Sequence, residues 1–281
     1  FRPALITLQG NFGLDDFERD VLLLALAPAI DGSFNSLFGR AKGSGYRAPL
    51  DVDAALTLLT DSFEERIERR AAFSLGGRLL KNSLLLVGRG GDGDLLGLEL
   101  KLPPRLVTLL LGNPGGDEAL ASFSNLIEPT ETFERVILPA DDKVRLVELV
   151  ALHDAYVRSL QTWGLDQAIA YGRGVTLLFS GAPGTGKTLT ARALAHHLGL
   201  RLLLVDSSRL AAGQQFEQNL ENLLREARLQ RAILFFDECE GLFAAHNRFG
   251  GHVPALLQAL ERFDGICIRA TSMPKTLDHA L

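Results

Sequence analysis

Residues 181–188, "GAPGTGKT", combine glycines, a lysine and a threonine at a spacing that suits phosphate binding. The glycines let backbone N–H groups turn toward an anion, and the N-terminus of a following helix favours negative charge. Lys187 would reach the β- and γ-phosphates of a nucleotide, and the Thr188 hydroxyl would hold Mg²⁺. An apolar run precedes the loop and a helical pattern follows it, as this chemistry requires. The predicted nucleotide-binding residues are Gly181, Ala182, Pro183, Gly184, Thr185, Gly186, Lys187, Thr188 and Leu189.

Two further strand ends carry polar residues that could complete hydrolysis. The apolar run of "AILFFDECE" delivers Asp237, a candidate Mg²⁺ ligand through water, and Glu238, a candidate general base. An acidic turn after a core strand is the alternative, and the phosphate loop favours the catalytic interpretation. The run "ICIRATS" ends in Thr271 and Ser272, which could contact the γ-phosphate or the lytic water, or could only cap a helix.

The second half of the chain alternates helical and strand patterns. The runs "VTLLFSG", "LRLLLVD", "AILFFDE" and "GICIRAT" are short and almost continuously apolar, which is typical of parallel strands buried on both faces. A long amphipathic helix is predicted in "DDKVRLVELVALHDAYVRSLQTWG". This order predicts a doubly wound α/β fold that binds its ligand at the carboxyl ends of the strands.

The first half has a different pattern. Helices are predicted in "GLDDFERDVLLLALAPAID", "DVDAALTLL", "SFEERIERRAAF" and "PPRLVTLLLG", and a hairpin with a glycine-rich tip in "SLLLVGRGGDGDLLGLELKL". Helices with a two-stranded wing predict a small winged-helix α+β domain over residues 1–112. Residues 113–132, rich in Pro, Gly and small polar residues, are predicted to be a linker, and residues 133–281 the α/β domain.

Several segments together resemble the AAA ATPases, the group that includes katanin and spastin. They are "SGAPGTGKTLTARALAHHLG", "VDSSRL", "ILFFDECEGLF" and "LERFDGICIRATSMPKTLDHAL". "FERVILP" and "WGL" resemble a bacterial branch in which a winged-helix domain with a sequence like "FGLDDFERDVLLL" precedes the ATPase module. The resemblance implies a P-loop NTPase sheet of strand order 5-1-4-3-2 and a homo-oligomeric ring, usually a hexamer, with ATP at the subunit interfaces.

The resemblance also assigns roles by position. Ile137 would pass near the adenine, Lys187 and Glu238 would act in catalysis, and Ser272 stands where the family's sensor asparagine usually lies. The expected ligands are ATP or ADP with Mg²⁺. The family's arginine fingers and helical lid would lie beyond Leu281. We therefore expect the chain as given, which starts without methionine, to be a fragment that binds nucleotide but hydrolyses it slowly.

Besides Ser272 in place of asparagine, a loop segment and one strand position depart from the family's pattern. Members that thread polypeptide carry an aromatic–aliphatic–glycine loop, whereas "RLAAGQQFEQNL" has no aromatic residue before Gly213. Either the threading loop is absent or residues are missing from the chain. Arg269 occupies a strand position that is usually apolar, where a charge is costly unless it is paired. Arg269 either forms an ion pair with an acidic group near the site or lies at the end of the strand, and we favour the ion pair.

Composition narrows the classes of partner. The chain has 281 residues, of which 47% are hydrophobic, and a formal net charge of −5, which disfavours a general nucleic-acid surface. No apolar run approaches the roughly 20 residues that span a bilayer, so no membrane partner is expected. Cys239 and Cys267 have no metal-ligand spacing, which predicts buried free thiols and a cytoplasmic location. The adjacent His196 and His197 lack the i, i+4 spacing of metal ligands.

The candidate recognition helix of the winged-helix domain mixes charges. Three arginines (Arg66, Arg69, Arg70) alternate with three glutamates (Glu64, Glu65, Glu68). Mixed charge at i, i+4 spacing favours a solvated face over one that tracks phosphates. We therefore expect this domain to dock a protein substrate or partner, and the leading hypothesis is an ATPase that remodels or disassembles protein complexes. The alternatives are a nucleotide-gated switch with little turnover and a DNA-loading ATPase.

Overall fold

The computed structural model describes residues 2–88, 94–112, 117–163, 174–212, 215–243 and 253–273. The chain divides into two compact units, Phe1–Gly115 and Gly116–Leu281. Each unit has its own set of elements and its own buried apolar residues.

The first unit is helical, with one small two-stranded sheet. Its elements are α1 (Arg2–Phe12), α2 (Asp16–Ile30), α3 (Phe34–Ala41), α4 (Val52–Leu59), α5 (Phe63–Arg69), α6 (Arg78–Lys81), β1 (Leu86–Val87), β2 (Leu100–Lys101) and α7 (Pro104–Leu110). The four helices predicted from the sequence of this unit are present as α2, α4, α5 and α7. The predicted tip of the hairpin, residues 89–93, lies outside the described residues.

Helix α2 shows how local sequence determines an element of this unit. Asp15 is its N-cap and accepts a hydrogen bond from the Glu18 N–H at 2.8 Å, while the Glu18 carboxylate accepts from the Asp15 N–H at 3.0 Å. This reciprocal capping box satisfies two N–H groups that the helix itself cannot. The helix then buries Val21, Leu22 and Leu26 in the core.

Strands β1 and β2 form the two-stranded wing. They pair antiparallel, with Leu86 opposite Lys101 and Val87 opposite Leu100. The Gly88 N–H extends the pairing by donating to the Glu99 carbonyl at 2.8 Å. The predicted α+β character of this unit is confirmed.

The second unit is an α/β domain built on a five-stranded sheet. Its elements are β3 (Ser124–Ile127), α8 (Ala140–Thr162), β4 (Val175–Ser180), α9 (Lys187–His197), β5 (Arg201–Asp206), α10 (Ser207–Ala212), α11 (Phe216–Leu229), β6 (Ala232–Asp237), α12 (Glu240–Phe243), α13 (Val253–Glu261) and β7 (Ile266–Thr271). The sheet order is β3-β5-β6-β7-β4, in which β5, β6, β7 and β4 are parallel.

This order agrees with the expected topology. Numbered from the strand before the phosphate loop, the parallel strands follow the order 1-4-3-2. The P-loop NTPase fold class is therefore confirmed over these four strands. The expected fifth strand falls outside the described residues.

Strand β3 was not predicted, because its four residues lie in the stretch that we assigned to the linker. It pairs antiparallel with β5, so that Ser124 lies opposite Val205 and Ile127 opposite Leu202. A salt bridge of 2.8 Å between Arg201 and Glu128 fixes the chain just after it. A strand this short has too few side chains to show a period, and only its pairing partner reveals it.

The strands β5 to β7 are buried on both faces, as their apolar runs predict. On β6, Ile233 and Phe235 pack on one side with α9, while Leu234 and Phe236 pack on the other with α11. Strand β4 differs, because alternate side chains are exposed and Leu178 is 45% exposed. Within the described residues β4 pairs with β7 alone, at the edge of the sheet.

Helix α8 is the predicted long amphipathic helix and has 23 residues. It begins with Asp141 and Asp142 in its first turn and buries Val150 against the sheet. Among the described helices, α8 included, none combines the length and apolar character needed to cross a membrane.

Arg231 follows the last turn of α11 in the left-handed region, with φ of +49°. This conformation is strained for a residue with a Cβ and is easy for glycine. We expect Arg231→Gly to raise the free energy of unfolding of the second unit by about 1 kcal/mol. Arg231→Ala is the control, because it keeps the Cβ and should give no such gain. Thermal or urea unfolding of the full chain measures both, and an equal gain from alanine would contradict the argument.

Candidate active site

The register of the parallel strands brings the predicted site residues to one edge of the sheet. Ser180 at the end of β4 lies opposite Thr271 at the end of β7, and Asp237 at the end of β6 lies opposite Asp206 of β5. A cleft of about 330 Å³ opens at this edge. It is lined by Pro183, Gly184, Gly186, Lys187, Thr188, Leu189, Asp237, Glu238, Ala270 and Ser272.

The loop between β4 and α9 depends on its glycines. Gly184 and Gly186 have φ of +81° and +91°, which only glycine adopts without strain. A Cβ on Gly181 would lie 2.9 Å from the Thr185 Oγ1. That hydroxyl donates to the Ala182 carbonyl at 2.8 Å and closes the turn. The loop thus has the wound conformation that turns backbone N–H groups toward an anion.

Lys187 and Thr188 open helix α9 directly after this loop. The Lys187 Nζ donates to the carbonyls of Gly181 at 2.8 Å and Ala182 at 3.1 Å, which holds the ammonium against the loop. The positive end of the helix dipole lies at the same place. Together these groups make one wall of the cleft suited to phosphate.

The opposite wall carries the two acidic residues that follow β6. The Ser207 hydroxyl donates to the Asp237 carbonyl at 2.6 Å, and the Cys239 N–H donates to the Ala270 carbonyl at 3.0 Å. Between these anchors Glu238 has φ of +46°, a strained value for a residue with a side chain. Strain of this kind is typical of functional sites.

Thr188 and Asp237 offer a hydroxyl and a carboxylate oxygen to the same cleft. Mg²⁺ binds through oxygen ligands and usually through one or two protein groups with water and substrate phosphates. The chemistry of these donors therefore fits Mg²⁺.

Ser272 also lines the cleft, but its hydroxyl is held by a residue that we did not predict. The Oε1 atom of Glu240 accepts a hydrogen bond from the Ser272 Oγ at 3.0 Å. It also accepts from the Thr271 Oγ1 at 2.6 Å, the Met273 N–H at 2.9 Å and the Ser272 N–H. The one feature of the sequence that could have pointed to Glu240 is that it is the third acidic residue in "DECE".

The surroundings of Glu240 shift its titration. Burial by itself would raise its pKa, but the hydrogen bonds from Thr271, Ser272, Met273 and its own backbone outweigh burial and lower the pKa from 4.5 to about 2. The carboxylate is therefore charged at neutral pH and binds its donors strongly.

A second cleft, of about 460 Å³, adjoins the first and shares Thr188, Asp237 and Glu238 with it. Its remaining lining residues come from the stretch before and along β3, from β5 and from the helices after β4 and β5. They are Ala121, Ser122, Phe123, Ser124, Asn125, Arg192, Leu204, Val205, Asp206 and Arg209. The acidic pair therefore lies between two openings.

Ile137 does not join the site in this structure. Its side chain is 98% exposed, and it is absent from the described lining of both clefts. Its predicted contact with adenine stays a prediction.

The adjacent histidines at the end of α9 contact nearby residues. The His196 Nδ1 lies 3.0 Å from the Pro129 carbonyl oxygen, and His197 packs edge-on against Phe133.

Arg269 lies in the middle of β7, with 8% of its surface exposed, so the strand-end alternative is wrong. Its charge lies near two buried thiols, Cys239 and Cys267. Burial raises the pKa of each thiol to about 12, although the positive charge of Arg269 acts in the opposite direction. Both cysteines are free and buried, as predicted.

Because the pKa of Glu240 is lower in the folded chain, its stabilisation is complete above about pH 4.5 and is lost as the pH falls toward 2. Hydrogen bonds to a charged group are worth about 1.5–3 kcal/mol each. We expect Glu240→Gln to lower the free energy of unfolding by about 1–3 kcal/mol at pH 7 and by progressively less below pH 4.5. Urea unfolding at a series of pH values measures this, and an unchanged difference at pH 3 would contradict it.

Comparison with known proteins agrees with this architecture. Residues 177–281 match the family model "ATPase family associated with various cellular activities (AAA)", and residues 1–124 match the model "Winged helix domain, variant". The crystal structure of the FIGL-1 AAA domain is similar, with a TM-score of 0.45 and 22% sequence identity over 59% of this chain and 57% of that chain.

Two curated relatives illustrate the range of similar proteins. The AAA family ATPase y4kL of Sinorhizobium fredii is 33% identical over 58% of this chain and 51% of its own length. The 26S proteasome regulatory subunit 7 homolog of Saccharomyces cerevisiae is 30% identical over 68% of this chain and 41% of its own length. The chain thus spans about half the length of these relatives. Residues 177–281 are therefore an AAA domain of the ATPase family, and a winged-helix domain precedes it in the chain.

Proposed function

We propose that this chain binds ATP and ADP with Mg²⁺ in the cleft at the strand ends and hydrolyses ATP to remodel or disassemble a protein complex. The observation that carries the proposal is the meeting of Lys187, Thr188, Asp237 and Glu238 around one cleft. Family membership supports the same activity, because the matched family is one of ATPases.

Each side chain has a role that follows from its place. Residues 181–186 and Lys187 bind the phosphates, and Leu189 in the first turn of α9 borders the same cleft. Thr188 and Asp237 hold Mg²⁺, which neutralises the charge that develops on the phosphate oxygens. Glu238 polarises the attacking water as general base, and Ser272 contacts the nucleotide or that water as the sensor.

We further propose that the protein acts in the cytoplasm as a homo-oligomer, in the form of a hexameric ring. The second cleft supports this arrangement, because Glu238 and Asp237 also line that opening. Arg192 and Arg209 on its walls are already engaged, by Glu131 at 2.9 Å and Asp206 at 3.2 Å. The acidic pair is thus free to meet positive charge from a neighbouring subunit.

A protein substrate fits this proposal better than a nucleic acid. One relative is a proteasome regulatory subunit, whose name places it in a protein assembly. In the winged-helix unit, Arg66 of α5 forms an ion pair with Asp53 and donates to the Thr57 hydroxyl at 2.9 Å. Arg69 pairs with Asp15 at 2.8 Å. These guanidinium groups are engaged within the domain, which reduces the charge available to phosphates.

The exposed face of α5 is instead apolar and acidic. Phe63 is 72% exposed and Ile67 is 55% exposed, one turn apart, and Glu64 and Glu68 are exposed beside them. Apolar side chains bordered by charge are typical of protein-docking surfaces. We propose that the winged-helix domain docks its protein partner through this face.

A nucleotide-gated switch with little turnover remains the second candidate. It is favoured by the segment after β5, where no aromatic residue precedes Gly213, a residue outside the described part of the chain. Phe216, the aromatic residue nearest to that position, is only 3% exposed and packs in the core. It therefore cannot serve as a threading side chain in this conformation.

ATP turnover per subunit of the full chain, measured against protein concentration, tests the proposal. We expect specific activity to rise steeply with concentration as subunits complete each other's sites. Glu238→Gln should reduce turnover by about 10²-fold or more while nucleotide still binds, because it removes the base and keeps the cleft. Glu261→Gln, on the exposed surface of α13, is the control. Tight ATP binding with flat, negligible turnover would instead favour the switch.

Fluorescence anisotropy with a labelled DNA duplex at 50 and 200 mM salt tests the choice of partner. We expect weak binding with little dependence on salt, because the arginines of α5 are engaged. A protein that contacts 6–10 phosphates loses about 10³–10⁵ in affinity over this range. A loss of affinity of that size, together with weaker DNA binding by Arg70→Ala, would overturn the protein-docking proposal in favour of a DNA-loading ATPase.

A further inference from the structure

The corner that follows β7 is held by a single carboxylate oxygen. Four donors converge on the Glu240 Oε1: the hydroxyls of Thr271 and Ser272 and the backbone N–H groups of Ser272 and Met273. The Thr271 Oγ1 also accepts from the Met273 N–H at 3.0 Å, so the corner closes on itself around the carboxylate. Nothing in the proposed chemistry uses this carboxylate directly.

We propose that Glu240 is a positioning residue for nucleotide discrimination: by holding the Thr271–Met273 corner, it fixes Ser272 at the cleft and sets the preference for ATP over ADP. This inference rests on the proposed ATPase function, because it assigns Ser272 to the phosphate end of that same cleft. Glu240 acts through Ser272 and does not itself line either cleft within the described residues.

The place of Glu240 in the chain makes this role possible. It is the first residue of α12 and comes three residues after Asp237, so one short segment carries both the acidic pair and the acceptor for the corner. The Cys239 N–H bond to the Ala270 carbonyl joins the same segment to β7. The segment after β6 is therefore joined to the end of β7 at two points, Cys239 and Glu240.

The negative charge of the acceptor matters as well as its place. Charge-assisted hydrogen bonds are roughly twice as strong as neutral ones. A glutamine at position 240 would keep the length and one acceptor oxygen but would lose this strength. An alanine would remove the acceptor that four donors share, and the Ser272 backbone N–H, which cannot rotate away, would lose its acceptor, while the Met273 N–H keeps the Thr271 Oγ1. The two substitutions should therefore give a graded loss.

Direct nucleotide binding to the full chain is the first test, with labelled ATP and ADP analogues and Glu240→Gln, Glu240→Ala and Ser272→Ala. We expect ADP affinity to change less than about 3-fold, while the ATP/ADP affinity ratio falls about 10-fold in Glu240→Ala and less in Glu240→Gln, since small misplacements at a site can cost up to about 10²-fold. Glu261→Gln is the matched control on an exposed helix and should match the unmodified chain. Equal losses for both nucleotides would overturn the inference.

A double-mutant cycle separates positioning from mere stability. If Glu240 acts through Ser272, Glu240→Ala adds little to the loss of ATP preference that Ser272→Ala already causes. Fully additive losses would mean that the carboxylate acts by another route and would overturn the inference. Thermal unfolding of each variant confirms that the chain remains folded during the binding measurement.

Amide hydrogen exchange at Ser272 and Met273 tests the geometry without nucleotide turnover. Exchange at the Ser272 amide should accelerate at least about 10-fold in Glu240→Ala and remain slow in Glu261→Gln, because only the first variant removes its acceptor. The Met273 amide keeps the Thr271 Oγ1 as an acceptor and should accelerate less. Unchanged exchange would overturn the positioning role.

If the unmodified protein binds ATP and ADP differently but never hydrolyses ATP, the proposed motor fails while the inference on Glu240 stands.

Discussion

The site of this protein depends on the register of its parallel strands. Because β4, β6 and β7 run in the same direction and end at the same level, the phosphate loop, the acidic pair and the Thr271–Met273 corner face one cleft. A shift of one residue in any strand would turn its alternate side chains to the opposite face and move its polar end away from the others. The alternating burial of Ile233, Leu234, Phe235 and Phe236 in two cores holds that register.

The backbone at this edge is shaped by local constraints that serve the chemistry. Gly184 and Gly186 take left-handed conformations at no cost, whereas Glu238 takes one at a cost of about 1–3 kcal/mol. The surrounding hydrogen bonds, from Ser207 to the Asp237 carbonyl and from Cys239 to the Ala270 carbonyl, hold Glu238 in place. In the segment after β6, the strain falls on the residue that we propose as general base.

In both units, several arginines form ion pairs with nearby carboxylates. In the winged-helix unit, Arg66 and Arg69 are matched by carboxylates of neighbouring helices, which leaves an apolar and acidic face on α5. In the AAA domain, Arg192 is likewise matched by Glu131, and that bond lowers the pKa of Glu131. The acidic pair after β6 lines two clefts, where ligands and partners can supply positive charge.

The sequence by itself was enough to predict the α/β and winged-helix architecture and the residues of the phosphate loop and acidic pair, whereas the order of the four parallel strands was implied by the resemblance to AAA ATPases. These features depend on local patterns: apolar runs, glycine spacing and capping residues such as Asp15. Two features depended on tertiary structure. Strand β3 exists through its pairing with β5, and Glu240 meets hydrogen-bond donors that lie some thirty residues further along the chain. Such features need partners distant in the chain, and no local pattern specifies which partners will meet.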